Sequence, residues 1–173
     1  AERLPGSEVQ FRSWLTADFL RNPQSSTPAA AGVRTALLGS LWMIGITVLV
    51  AFPLGVGAAI YLEEYAGDTL LSRIIQTNIS NLAGVPSIIY GMLGLAIFVR
   101  AMEPLTSGRL LGAVDPGSAN GRTILSASLT LALLVLPLIL INTREAIRAV
   151  PRSLREAAYA LGATRWETVW HHV

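Results

Sequence analysis

Cysteine and lysine are both absent from the sequence. Without cysteine there is no disulfide framework, no thiolate metal site and no cysteine nucleophile. Without lysine the chain cannot carry the phosphate-loop pattern G-x-x-x-x-G-K-[ST], which excludes nucleotide hydrolysis by that route. The only two histidines, His171 and His172, are adjacent. On a helix they diverge by about 100° and cannot form the i, i+4 pair of a zinc hydrolase. Charge is scarce too: Asp, Glu and Arg together make up 14% of the 173 residues, against about 25% in soluble domains. With a net charge of +2 and no dense basic block, nothing points to nucleic acid as a partner.

What the sequence has in quantity is apolar length, with 52% hydrophobic residues and a mean hydropathy of +0.52. Residues 35–62, 74–99 and 123–143 contain no Asp, Glu, Lys or Arg. As helices these runs are roughly 42, 39 and 31 Å long, against a hydrocarbon core of about 30 Å. The expectation is an all-α, polytopic transmembrane protein with three spans, the first two long enough to tilt or kink. Gly39, Gly45, Pro53, Gly55 and Gly57 fall in the first span, Gly84, Pro86, Gly91 and Gly94 in the second, and Pro137 in the third. They favour close helix packing, and Pro53 and Pro86 are candidate hinges.

Residues 1–34 form an external segment. Phe11, Trp14, Leu15 and Phe19 recur at near-helical spacing, as in a short interfacial helix, and the linker "NPQSSTPAAAG" follows. Three spans put seven arginines on the side of residues 1–34 and 100–122 and six on the side of 63–73 and 144–173. Five of those six lie between Arg144 and Arg165, which leans that side towards the cytoplasm. The chain does not begin with methionine, and the expectation is a piece of a larger protein.

The last segment, 144–173, changes character. In "SLREAAYALGATRWETVWHHV", Ser153 and Glu156 have the spacing of a capping box and predict a helix from Leu154, with Gly162 placed to end it in a left-handed cap. Thr164 and Glu167 repeat the device. Ala157 and Ala158 leave a low-relief surface suited to lying in another protein's groove.

"EAAYALG" resembles the EAA-x-x-x-G core of the cytoplasmic loop of ABC importer permeases, with Glu156, Ala157, Ala158 and Gly162 at the motif positions. "PLGVGAAIYLEEYAG" and "NLAGVPSIIYGMLGLAIFVR", followed by "VPRSLREAAYALGATRW", resemble the phosphate-specific importer permeases of the PstA type. The sister PstC type shares much of this pattern. The resemblance covers about residues 28 to 173. It implies a MetI-like permease of a bacterial or archaeal cytoplasmic membrane, corresponding here to the second to fourth of six spans. It also implies a cytoplasmic coupling helix that carries Arg155, Glu156, Ala157, Ala158 and Gly162 onto an ATPase subunit. The partners implied are nucleotide-binding ATPase subunits that use ATP and magnesium, a sister permease subunit, an external phosphate-binding protein and membrane lipid. No cofactor is expected on this chain, and it is not expected to be an enzyme.

A phosphate anion in a lipid-embedded path needs donors, and arginine gives paired, charge-assisted hydrogen bonds to oxyanions. Arg34, Arg100 and Arg122 stand at span ends on the external side, where snorkelling anchors are the competing reading. Within the second span Asn78, Asn81, Ser87 and Tyr90 are candidates to hydrogen-bond a passing anion or to tie helices together. Asn78-Ile79-Ser80 fits the glycosylation pattern but lies in an apolar run. Two rival readings stand beside phosphate import: a permease for another oxyanion or solute, and a membrane scaffold that transports nothing.

Overall fold

The computed structural model describes residues 16–27, 30–67, 69–112 and 120–172, and all regular structure among them is helical. The chain divides into two compact units, 1–42 and 43–173.

In the first unit helix α1, Ala17–Arg21, is capped by Thr16, whose hydroxyl accepts from the Phe19 N–H at 3.2 Å. The chain then turns back on itself. Val33 N–H donates to the Phe19 carbonyl at 2.9 Å and Arg34 N–H to that of Asn22 at 3.2 Å. Gly32 is required there, because a Cβ would overlap the Asn22 carbonyl. Of the aromatic and apolar residues expected on an interfacial helix, Phe11, Trp14 and Leu15 lie outside the described residues. Phe19 is on α1.

Helix α2, Arg34–Ile60, continues through a widened turn, Tyr61–Tyr65, closed by Ala66 N–H on the Tyr61 carbonyl at 2.9 Å. Pro53 is carried inside it. Helix α6, Ile124–Ala149, starts at Thr123, whose side chain accepts from the Ser126 N–H. It runs past the expected end at Thr143 because the charged residues of the last turns do not interrupt it: Arg144 is buried against Glu63, and Glu145 and Arg148 are exposed. It stops at Val150, which is extended ahead of Pro151. Both helices are long and apolar enough to cross a membrane.

Helices α2 and α6 run in the same direction. Early in each, Thr47 donates to the Ser128 carbonyl at 3.2 Å. In the middle, Gly55 meets Ile139 so closely that a Cβ would lie 2.7 Å from its Cγ2. At the far end Arg144 donates to Glu63. Small residues set this spacing, as at other close membrane crossings. Ala59 and Leu62 from α2 are buried in one cluster with Leu140 and Ile147 from α6.

The second apolar run is not one continuous helix. Helix α3, Leu70–Ala83, and helix α4, Ser87–Gly94, with its widened continuation Leu95–Ala101, meet at a 100° bend. The physical reason is the sequence Gly84-Val85-Pro86. Proline disfavours the helical conformation of the residue before it and has no N–H to continue the ladder. Gly84 N–H and Val85 N–H close onto the Asn81 and Leu82 carbonyls, and the buried Tyr90 hydroxyl donates to the Leu82 carbonyl at 2.7 Å. The Leu82 carbonyl, which Pro86 has no N–H to serve, is thereby satisfied.

The bent pair works along the whole of α6. Near the end of α3, Ser80 and Asn81 share a cleft with Ile141 and Arg144. Beyond the bend Gly94 abuts Thr130, and the Phe98 carbonyl accepts from Ser126 at 3.3 Å. A short helix α5, Glu103–Thr106, follows, and Thr106 Oγ1 donates to the same Phe98 carbonyl at 2.9 Å. The pair is therefore a broken span, and not a loop that returns to the side it left.

The terminal segment folds as helix α7, Arg152–Ala160, and helix α8, Arg165–His172, packed on each other. Gly162 takes the expected left-handed conformation, φ 85°, and Ala163 N–H closes on the Ala158 carbonyl at 3.0 Å. The second capping box forms as read from the sequence. Thr164 N–H donates to Glu167 Oε2 at 2.8 Å, and Glu167 N–H to Thr164 Oγ1 at 3.3 Å. The first does not. Helix α7 begins two residues earlier than Leu154, at Arg152, with Pro151 in the capping position and no side-chain cap. Proline's fixed φ favours a helix start, so the helix begins before Ser153 can cap it.

Candidate functional site

The densest polar cluster lies where α2, α6 and α7 meet, and it is built on two adjacent acids at the end of α2. Neighbouring residues on a helix point about 100° apart, so Glu63 and Glu64 serve different neighbours. Glu63 turns to α6. Arg144 Nε donates to its Oε1 at 2.6 Å, while Arg148 grips both oxygens, Nε to Oε2 at 3.0 Å and Nη2 to Oε1 at 2.9 Å. The Arg144 side chain is only 10% exposed, so the carboxylate compensates a nearly buried charge.

Glu64 turns to the terminal helices. Arg155 Nη1 stands 2.7 Å from Glu64 Oε1, and Arg155 Nη2 also donates to the Ile147 carbonyl of α6. Arg165, at the start of α8, donates to the Glu64 carbonyl at 3.1 Å. Both helices of the terminal pair are thus anchored on one turn of α2. The sequence reading named Arg155 but neither glutamate. The signal available was an acidic pair closing a 28-residue uncharged run, opposite arginines spaced i, i+4 just past another such run.

The other residues of the EAA motif are placed as follows. Glu156 and Ala157 are exposed on α7, whereas Ala158 is buried, 5% exposed, against its own chain. Of the two alanines only Ala157 belongs to the outer surface. Leu154, Tyr159 and Leu161 are exposed with it. On α8 the rings of Trp166 and Trp170 stack with centroids 5.9 Å apart. The Glu167 carboxyl is held below the usual carboxylate range by the Thr164 backbone N–H and then by the Thr164 hydroxyl.

The candidate pathway residues do not converge. Asn81 lines a cleft of about 420 Å³ with Gln76, Thr77, Ser80, Arg144, Glu145 and Arg148, next to the ion pairs. Asn78 is tied to its own helix, donating to the Ile74 carbonyl at 2.8 Å. Ser87 is exposed at the start of α4. Arg122 lies by the other end of α6, on a mainly apolar groove of about 600 Å³ lined also by Leu95, Val99 and Thr130. Arg100 is exposed nearby, beside the backbone contact between Val99 and Gly121. Arg34 is exposed at the start of α2, in the first unit.

Residues 51–173 match the family described as "Binding-protein-dependent transport system inner membrane component". The chain is similar to the probable ABC transporter permease protein YqgI of Bacillus subtilis, 37% identical over 91% of this chain and 48% of that one. It is also similar to the phosphate transport system permease protein PstC of Xylella fastidiosa, 38% identical over 82% of this chain and 46% of that one. The phosphate transport system permease protein PstA 1 of Mycobacterium tuberculosis is 38% identical over 81% of this chain and 40% of its own length. The chain spans about half the length of the curated relatives it matches. No solved structure matches it.

Proposed function

The chain belongs to the family of binding-protein-dependent transport system inner membrane components, the permeases of ABC transporters, and on that premise we propose that it is a permease subunit of an ATP-driven phosphate importer. The observation that carries the cargo is the similarity to phosphate permeases, at 38% identity over four fifths of the chain. The PstA type is the reading favoured by the segments around Pro53–Gly67 and Asn81–Arg100, although PstC relatives match equally well.

In this reading the anion arrives from an external phosphate-binding protein and crosses by alternating access between this chain and a sister permease in the cell membrane. The exposed face of α7, with Glu156, Ala157 and the cap at Gly162, docks on an ATPase subunit, while Arg155 turns inward to Glu64. That partner binds ATP and magnesium, and closure of two such subunits moves α7. The polar cleft at Asn81 and Arg144 offers donors on the docking side, and Arg100 and Arg122 offer them at the opposite end.

A second reading, a permease for another oxyanion or solute, is favoured by the relative whose name specifies no cargo. One experiment separates them. Labelled phosphate uptake is measured in cells lacking the full-length gene, with and without complementation, in the presence of excess sulfate, molybdate or arsenate. Restored uptake that only arsenate blocks is the expected result. Uptake indifferent to the gene overturns the phosphate assignment.

A further inference from the structure

We propose that Glu64 and Arg155 are positioning residues that fasten α7 to the end of α2, so that displacement of α7 reaches α2 directly as well as through α6. The inference rests on the reading of α7 as the ATPase-docking helix and adds a route that the chain's connectivity does not supply. Along the backbone α7 is joined to α6, through Val150 and Pro151, and to α8, but not to α2. Through space it reaches the last turn of α2.

The Glu64 carboxylate is 7% exposed and the Arg155 side chain 19%. The pair is therefore shielded from the screening that makes surface ion pairs weak. Arg155 is also the one side chain on α7 that holds α2 and α6 together, through Glu64 and the Ile147 carbonyl. A planar guanidinium can make both contacts at once, which a lysine ammonium on its flexible stem does less well. The Arg165 contact to the Glu64 carbonyl secures α8 on the same turn. A rigid, two-point attachment is what a moving helix needs if it is to carry its neighbour along.

The test uses the full-length protein with its ATPase and sister permease in liposomes, with inorganic phosphate flux and ATP hydrolysis measured together. Glu64→Gln and Arg155→Gln should leave ATPase co-purification and hydrolysis near wild type while phosphate moved per ATP falls about fivefold or more. The exchanged pair, Glu64→Arg with Arg155→Glu, should recover about half or more of the wild-type ratio. A ratio unchanged in both single variants, or an exchanged pair no better than the singles, overturns the proposal.

A second measurement holds if the glutamine variants fail to fold. The 173 residues hold no cysteine, so, with any cysteine elsewhere in the full-length protein replaced by serine, nitroxide labels at Gly57→Cys and Leu161→Cys report the distance from α2 to α7 with Glu64 and Arg155 intact. That distance should be the same with and without ATP, and a change on nucleotide binding overturns the fastening. If the distance holds but wild type moves no phosphate, the cargo reading fails alone. If phosphate moves but the distance changes, the fastening fails alone.

Discussion

At the scale of single residues, the position of a glycine along α2 decides what it can tolerate. Gly55 faces Ile139, with no room for a Cβ, whereas Gly57, half a turn on, has nothing within 4 Å. Gly55→Leu should therefore force α2 and α6 apart and cost about 1–3 kcal/mol, while Gly57→Leu should be close to neutral. Thermal unfolding of the two purified variants in detergent checks this, and equal midpoints would contradict the packing. Both glycines were visible in the sequence as marks of close packing. Which of them makes the contact was not, because helices that are apolar all round carry no periodic signal of the face they bury.

At the scale of elements, the two capping boxes make a controlled comparison. Thr164→Ala should weaken α8 by about 1 kcal/mol, whereas Ser153→Ala should stay within about 0.5 kcal/mol because Pro151 starts α7. Amide exchange at residues 153–156 and 165–168 reads both. The same measurement has a pH dependence at α8 only. The Glu167 carboxyl is held low when folded, so its contribution is present above the unfolded carboxylate's range and fades as pH falls through the lower folded value. Protection at 165–168 should hold at neutral pH and decline below about pH 4, and this dependence should weaken but persist in Thr164→Ala, which removes the hydroxyl and keeps the backbone N–H. Both boxes have the S/T-x-x-E spacing. Local pattern identifies a possible cap, and a neighbouring proline that starts the helix earlier overrides it. The bend between α3 and α4 has a similar lesson. Gly84 and Pro86 were legible as a weak point, but neither the 100° angle nor the Tyr90 hydroxyl that reaches back across it to the Leu82 carbonyl is encoded by the length or hydropathy of the uncharged run from 74 to 99.

At the scale of the whole molecule, the uncharged runs sufficed to place α2 and α6 and the all-helical class, whereas the ion pairs that hold α2, α6 and α7 together join residues more than eighty positions apart. No periodicity within one element shows such pairs. They also carry a testable asymmetry. Glu63→Leu leaves the nearly buried Arg144 charge uncompensated and should cost about 3–5 kcal/mol, whereas Glu63→Leu combined with Arg144→Leu should be milder than that single change. Unfolding midpoints of the two variants give the comparison, and a double variant worse than the single would show that the pair is worth more than an apolar contact. The parallel course of α2 and α6 has a further consequence, which is one of parity. Two helices that traverse a bilayer in the same direction must be separated by an odd number of crossings, and the broken span α3–α4 supplies that crossing. The segment around Glu103–Thr106 and the terminal pair α7–α8 therefore face different water phases.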